Sequence, residues 1–179
     1  MKRLIPFLAF SLLLLAACGH KASREEMVKI IEERELEMDF NYLDAESADS
    51  TIDGMIALYR QFYGQFPTDS LAAVYMQKTA DLCITAGRYG EAVAVLDSII
   101  TLDPDFADLA GCWFLKGFAY QNAEEFDSAR VAYTYFVDTY PDHYLAKDTR
   151  TTLQYLELTP EEMLAEILAG ATDENLVME

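Results

Sequence analysis

The 179-residue sequence predicts an all-α fold: a short α-solenoid of helix pairs with a 37-residue period and a capping C-terminal helix. Three observations predict it. Pro67, Pro104 and Pro141 follow one another at intervals of 37 residues, each closing one amphipathic run and preceding another. Proline lacks the N–H that would continue a helix and clashes with the preceding turn, so each is a joint. A shift of 37 residues also superposes Ile52, Tyr89 and Phe126, then Met55, Ala92 and Ala129, then Tyr59, Leu96 and Tyr133, then Phe62, Ile99 and Phe136. Within each run these residues lie at i, i+3, i+7 and i+10, a single helical stripe. The segments before the second and third runs, "LAAVYMQKTADLCITAG" and "LAGCWFLKGFAYQNAEE", pair Met76 with Trp113, Ala80 with Gly117 and Cys83 with Tyr120 at the same shift.

The chain opens on Met1-Lys2-Arg3 and an apolar run of 14 residues, 4–17. That length suits the centre of a signal peptide and falls short of the ~20 residues a membrane span needs. The run ends in Leu15-Ala16-Ala17-Cys18, which resembles the lipobox of bacterial lipoproteins. The resemblance implies cleavage after Ala17, so that 1–17 is a signal peptide, and lipidation (palmitate) of Cys18. Residues 18–24 then form a tether. An ordinary signal peptide followed by a chance cysteine is the plainer alternative. Gly19 stands where an aspartate holds many such lipoproteins in the inner membrane, so the resemblance implies the outer membrane of a Gram-negative cell, facing the periplasm. Acyl chains hold by burying methylenes, at about 0.8 kcal/mol each.

Loss of Lys2 and Arg3 leaves 11 basic and 31 acidic residues, and the formal charge moves from −18 to −20. A chain this acidic is a poor ligand for phosphate backbones, which argues against nucleic acid as a partner. Its aliphatic and aromatic content argues against disorder.

Ser23 and Glu26 form a capping box for a helix over 23–39. An acidic, serine-rich loop is expected next, and then a helix over 51–66 that completes a degenerate first repeat ending near Pro67. Repeats over 73–104 and 110–141 follow, and a cap over 143–169. Within the cap, 143–157 is a solvated helix, because Gln154 and Glu157 replace the small and aromatic positions a further helix would need. Pro160 opens a last helix to about Ala169.

In 110–141 the signature positions Trp113, Gly117, Tyr120, Phe126, Ala129, Tyr133 and Pro141 resemble the tetratricopeptide repeat, as do Ala80, Gly87, Tyr89, Ala92, Leu96 and Pro104 in 73–104. Small residues at Ala80, Gly117, Ala92 and Ala129 let paired helices approach closely, and Trp113 is expected in the core. Three residues per period exceed the family's length and fall between the proline and the next helix. Lengthened joints of this kind resemble those of the repeat lipoprotein of the outer-membrane β-barrel assembly machinery and the C-terminal repeat domain of the Tol–Pal coordinator. The resemblance implies that 25–179 is one repeat domain.

No catalytic constellation is present: no glycine-rich phosphate loop, no histidine beside a nucleophile and no metal-spaced cluster, so neither enzyme activity nor a cofactor is expected. His20 and His143 are the two histidines. Asp103, Asp105 and Asp108 lack the spacing of a calcium loop and suit helix capping. Cys83 and Cys112 sit at offset levels of successive helices, too far apart for a disulfide, and are expected as buried packing residues.

The resemblance implies a groove along the first helices of the repeats. Its positions here are Gln77, Asp81 and Thr85, then Phe114, Phe118, Gln121 and Asn122, then Thr151 and Tyr155. Phe114 and Phe118, one turn apart, would anchor a protein segment gripped by amides. Alternatively, the apolar stripe Met163, Leu164, Ile167 and Leu168 folds back over them. Two function classes follow: a lipid-anchored envelope scaffold that binds other envelope proteins, with a chaperone for unfolded clients as its variant, and an envelope enzyme or small-ligand binder, for which no residues are found.

Overall fold

The computed structural model describes residues 21–38, 45–156, 158, 161–162 and 164–165. All regular structure among them is helical. The helices are α1 (Arg24–Glu37), α2 (Ala45–Gln65), α3 (Ala72–Thr85), α4 (Tyr89–Leu102), α5 (Leu109–Asn122), α6 (Phe126–Thr139) and α7 (Ala146–Tyr155). Consecutive helices pack on one another, α1 on α2 and then α4 through α7 in turn, as in a solenoid-like helical repeat. The chain forms two compact units, whose boundary falls between Tyr75 and Met76, inside α3.

In the first unit, Ser23 accepts from the Glu26 N–H and the Glu26 carboxylate accepts from the Ser23 N–H, the capping box the sequence predicts. Met27 and Ile31 of α1 are buried, as are Ile52, Met55, Tyr59 and Phe62 of α2. Tyr75 stacks on Tyr59 with ring centroids 5.3 Å apart and meets Phe62 edge-on at 4.8 Å. Arg24 clamps Asp69, with Nε donating to Oδ2 at 2.5 Å and Nη2 to Oδ1 at 3.1 Å. α2 begins earlier than the sequence predicts. Residues 45–50, read as the end of a loop, are helical; apolar periodicity, the signal used to find the helix, starts only at Ile52, whereas backbone hydrogen bonding does not need it.

The second unit is built on the 37-residue stripe. Ala92, Leu96 and Ile99 of α4 and Ala129, Tyr133 and Phe136 of α6 are all at most 2% exposed. A fully buried ring such as that of Phe136 contributes about 1.5–3 kcal/mol. The first stripe position departs from this pattern: Tyr89 is half-buried and Phe126 is 37% exposed, each being the first residue of its helix. Ala80 and Gly117 are buried, and a Cβ on Gly117 would fall 2.5 Å from Cδ1 of Tyr133. Trp113 packs, half-buried, against the Phe136 cluster, its ring 4.0 Å from that of Tyr135. Cys83 and Cys112 are reduced and fully buried.

The joints share one hydrogen-bond pattern. Two successive turns run from Asp69 N–H to Phe66 O and from Ala72 N–H to Asp69 O; Phe106 and Leu109, and then His143 and Ala146, repeat them 37 and 74 residues later. The tight turn inside each pair is a Schellman closure: Arg88 N–H donates to Cys83 O and Gly87 N–H to Ile84 O, and Glu125 and Glu124 repeat this on Tyr120 and Gln121. Gly87 and Glu124 both adopt positive φ, 71° and 59°.

α7 buries Ala146 and Thr149 and exposes Lys147, Asp148, Arg150 and Gln154, so it caps the unit with a solvated outer face. Of the expected final helix, residues 161–162 and 164–165 are helical, and Leu164 is 57% exposed rather than covered. Met163, Ile167 and Leu168 lie outside the described residues, as do Glu157, the segment 39–44, and the signal and lipidation positions up to His20.

Candidate functional site

Asp108 fastens the first helices of the second unit together. It caps α5, with Oδ1 accepting from the Gly111 N–H at 3.1 Å. Its other oxygen accepts from Gln77 Nε2 of α3 at 2.7 Å. The capping role follows from aspartate's preference for helix starts. The tie to Gln77, 31 residues away, is an interhelical contact that the repeat period does not mark.

One turn beyond Gln77, Asp81 keeps solvent contact. Desolvation, and secondarily the like charge of Asp108, push its carboxyl up to about 6. Asp81 and Asp108 also act on Cys112, whose thiol burial pushes up to about 12.

The aromatic pair divides into two roles. Phe114 stacks on Phe118 with centroids 6.4 Å apart, but it also meets Tyr133 at 5.8 Å and Phe136 at 5.7 Å. It is half-buried and packs against both core clusters of the unit. Phe118 is 38% exposed, with Phe114 as its ring neighbour.

Most of the polar groove positions already donate to partners within the protein or accept from them. Thr85 Oγ1 donates to Asp81 O at 2.9 Å, and Asn122 Nδ2 donates to Phe118 O at 2.8 Å. Gln121 Oε1 accepts from the Tyr133 phenol at 2.8 Å. Thr151 Oγ1 donates to Lys147 O at 3.5 Å. Among the described residues, neither Thr151 nor Tyr155 has a hydrogen bond or ring contact with the α3 and α5 positions. The structure therefore ties Gln77 to Asp108, separately links Phe118, Phe114 and Gln121 through Tyr133, and leaves the α7 positions apart. Asp108 and Tyr133 are the residues that sequence reasoning did not assign to the groove; the cap signal at Asp108 was legible, its second bond was not.

No group of three or more His, Cys, Asp or Glu side chains among the described residues is arranged to hold a metal ion. No described helix is long and apolar enough to cross a membrane. An open depression is lined by Glu124, Glu125, Phe126, Asp127 and Ser128. No protein-family model, curated protein or solved structure matches the chain.

Proposed function

We propose that this protein is a lipid-anchored adaptor of the bacterial cell envelope, built on tetratricopeptide-type repeats, that docks another envelope protein on the α3–α5 face of its second unit. The anchor is Cys18, and the outer membrane is the destination that Gly19 favours. The observation that carries the docking reading is Phe118: an accessible ring, backed by Phe114, with Gln121 and Asn122 within one turn and held in place by bonds within the protein. A pre-set face of this kind loses little side-chain entropy on binding, and aromatic anchors dominate the energetics of such contacts.

The test is capture from detergent extracts with the full chain and its Phe118→Ser variant. One stoichiometric envelope partner, lost on Phe118→Ser, is the expected result. Many clients in comparable amounts would instead mark a chaperone, and a partner retained by the variant would overturn the docking face.

A further inference from the structure

α1 is fastened to the first joint at its own first residue. Arg24 Nε and Nη2 grip the two carboxylate oxygens of Asp69, whose Oδ1 also accepts from the Leu71 N–H at 2.9 Å. The clamp joins residues 45 apart in sequence, the start of α1 and the turn that links α2 to α3. Farther along α1, Met27 and Ile31 are buried, and the Tyr59 phenol donates to Glu35 Oε1 at 2.7 Å. The helix is therefore held from end to end. Cys18 precedes Arg24 by six residues, and six peptide steps reach at most about 20 Å.

α1 is not built to lie in a bilayer surface. A helix in the interface plane needs an apolar stripe, whereas the exposed side of α1 is charged, with Leu36 as its exposed large apolar side chain. Its charge also changes along its length. Residues 21–29 carry three basic and two acidic side chains, and residues 30–37 carry one basic and four acidic. An anionic lipid surface repels the second stretch more than the first.

We propose that the Arg24–Asp69 clamp makes the first joint, residues 67–71, the membrane-facing end of the first unit, with α1 rising from the bilayer towards Glu37. The proposal rests on the reading of Cys18 as the lipid anchor and adds an orientation to it. The partner of this end is the lipid surface itself. Pro67, Thr68 and Ser70 of the joint are exposed, and so is Lys21 in the tether.

The test uses the full lipidated chain in vesicles of phosphatidylethanolamine and phosphatidylglycerol that contain a rhodamine-headgroup lipid. A fluorophore is attached through Ser70→Cys or through Glu37→Cys, both exposed positions. Cys83 and Cys112 are fully buried and do not compete for the label. Energy transfer to the lipid is expected to be at least about twofold greater from position 70 than from position 37, because about 20 Å of α1 separates the two ends. Arg24→Gln and Asp69→Asn open the clamp from its two sides and lengthen the free chain up to Met27, the first buried residue of α1. Each should move the ratio towards one. A ratio that either variant leaves unchanged would overturn the clamp as the link between anchor and joint. Equal transfer from the two positions, or more from position 37, would overturn the orientation while a vesicle-bound chain leaves the anchor standing. Cys18→Ala is expected to leave the vesicles; if it stays bound, the anchor reading falls and this inference falls with it.

Discussion

Gly117 of α5 lies flat against the ring of Tyr133 of α6, so close that a Cβ would fall 2.5 Å from Cδ1 and 2.6 Å from Cε1. The ring has no room to yield, being 2% exposed with its phenol fixed on Gln121 at 2.8 Å. Gly117→Ala is therefore expected to destabilise the protein by about 1–3 kcal/mol through overpacking, read from denaturant melts of the full chain. An unchanged midpoint would mean that α5 and α6 can separate without cost.

The two Schellman turns provide an internal comparison. Gly87 takes positive φ freely, whereas Glu124 holds the same conformation with a side chain. Glu124→Gly is expected to stabilise by about 1 kcal/mol, because the left-handed region penalises a Cβ. Gly87→Ala should destabilise by a similar amount, about 1 kcal/mol. Both are read from thermal melts; a loss on Glu124→Gly would contradict the turn assignment.

Separate substitutions should resolve the aromatic pair. Phe114→Ser removes a half-buried ring from two core clusters and should cost about 2–3 kcal/mol. Phe118→Ser, at a 38% exposed position, should cost less than about 1 kcal/mol. Equal costs would mean that Phe118 is covered in solution.

Two carboxyls give the protein opposite pH dependences. Asp69 is held below its usual range, chiefly by its hydrogen bond to Arg24; the stability it contributes is present above its ordinary value of 3.8 and is lost as pH falls through its folded value. Asp81 is raised, first by desolvation and then by Asp108, from 3.8 to about 6. The folded state then binds more protons than the unfolded state between those values, so its contribution to stability declines as pH rises from 3.8 to about 6. Asp81→Asn is expected to match the wild type below that window and to exceed it in stability above, as measured by urea melts across pH. A difference that shrinks with rising pH would refute the assignment.

Cys18→Ala tests the anchor. The full-length variant is expected to leave the membrane fraction on carbonate washing, with its melting temperature unchanged, because Cys18 precedes the helices that form the core. Retention in the membrane would rule out Cys18 as the attachment point.

The sequence by itself determined the helical repeat: the spacing of its prolines, the stripe that becomes Ala92, Leu96 and Ile99 and then Ala129, Tyr133 and Phe136 in the core, and the small residues where helices approach. Those features repeat because each repeat buries the same face against the same kind of neighbour, and burial leaves a periodic mark in residue type. The capping box at Ser23 was legible for a similar reason, since both partners lie within one turn. The start of α2 was not, because a polar helical turn carries no apolar period. Only the tertiary structure decided which of the residues expected in a groove already have partners within the protein. That Gln77 is tied to Asp108 and Gln121 to Tyr133 depends on the axial register and separation of helices, quantities that residue type does not encode. The same holds for Phe114 and Phe118, alike in the sequence and one turn apart: one ring meets Tyr133 and Phe136, and the other meets solvent.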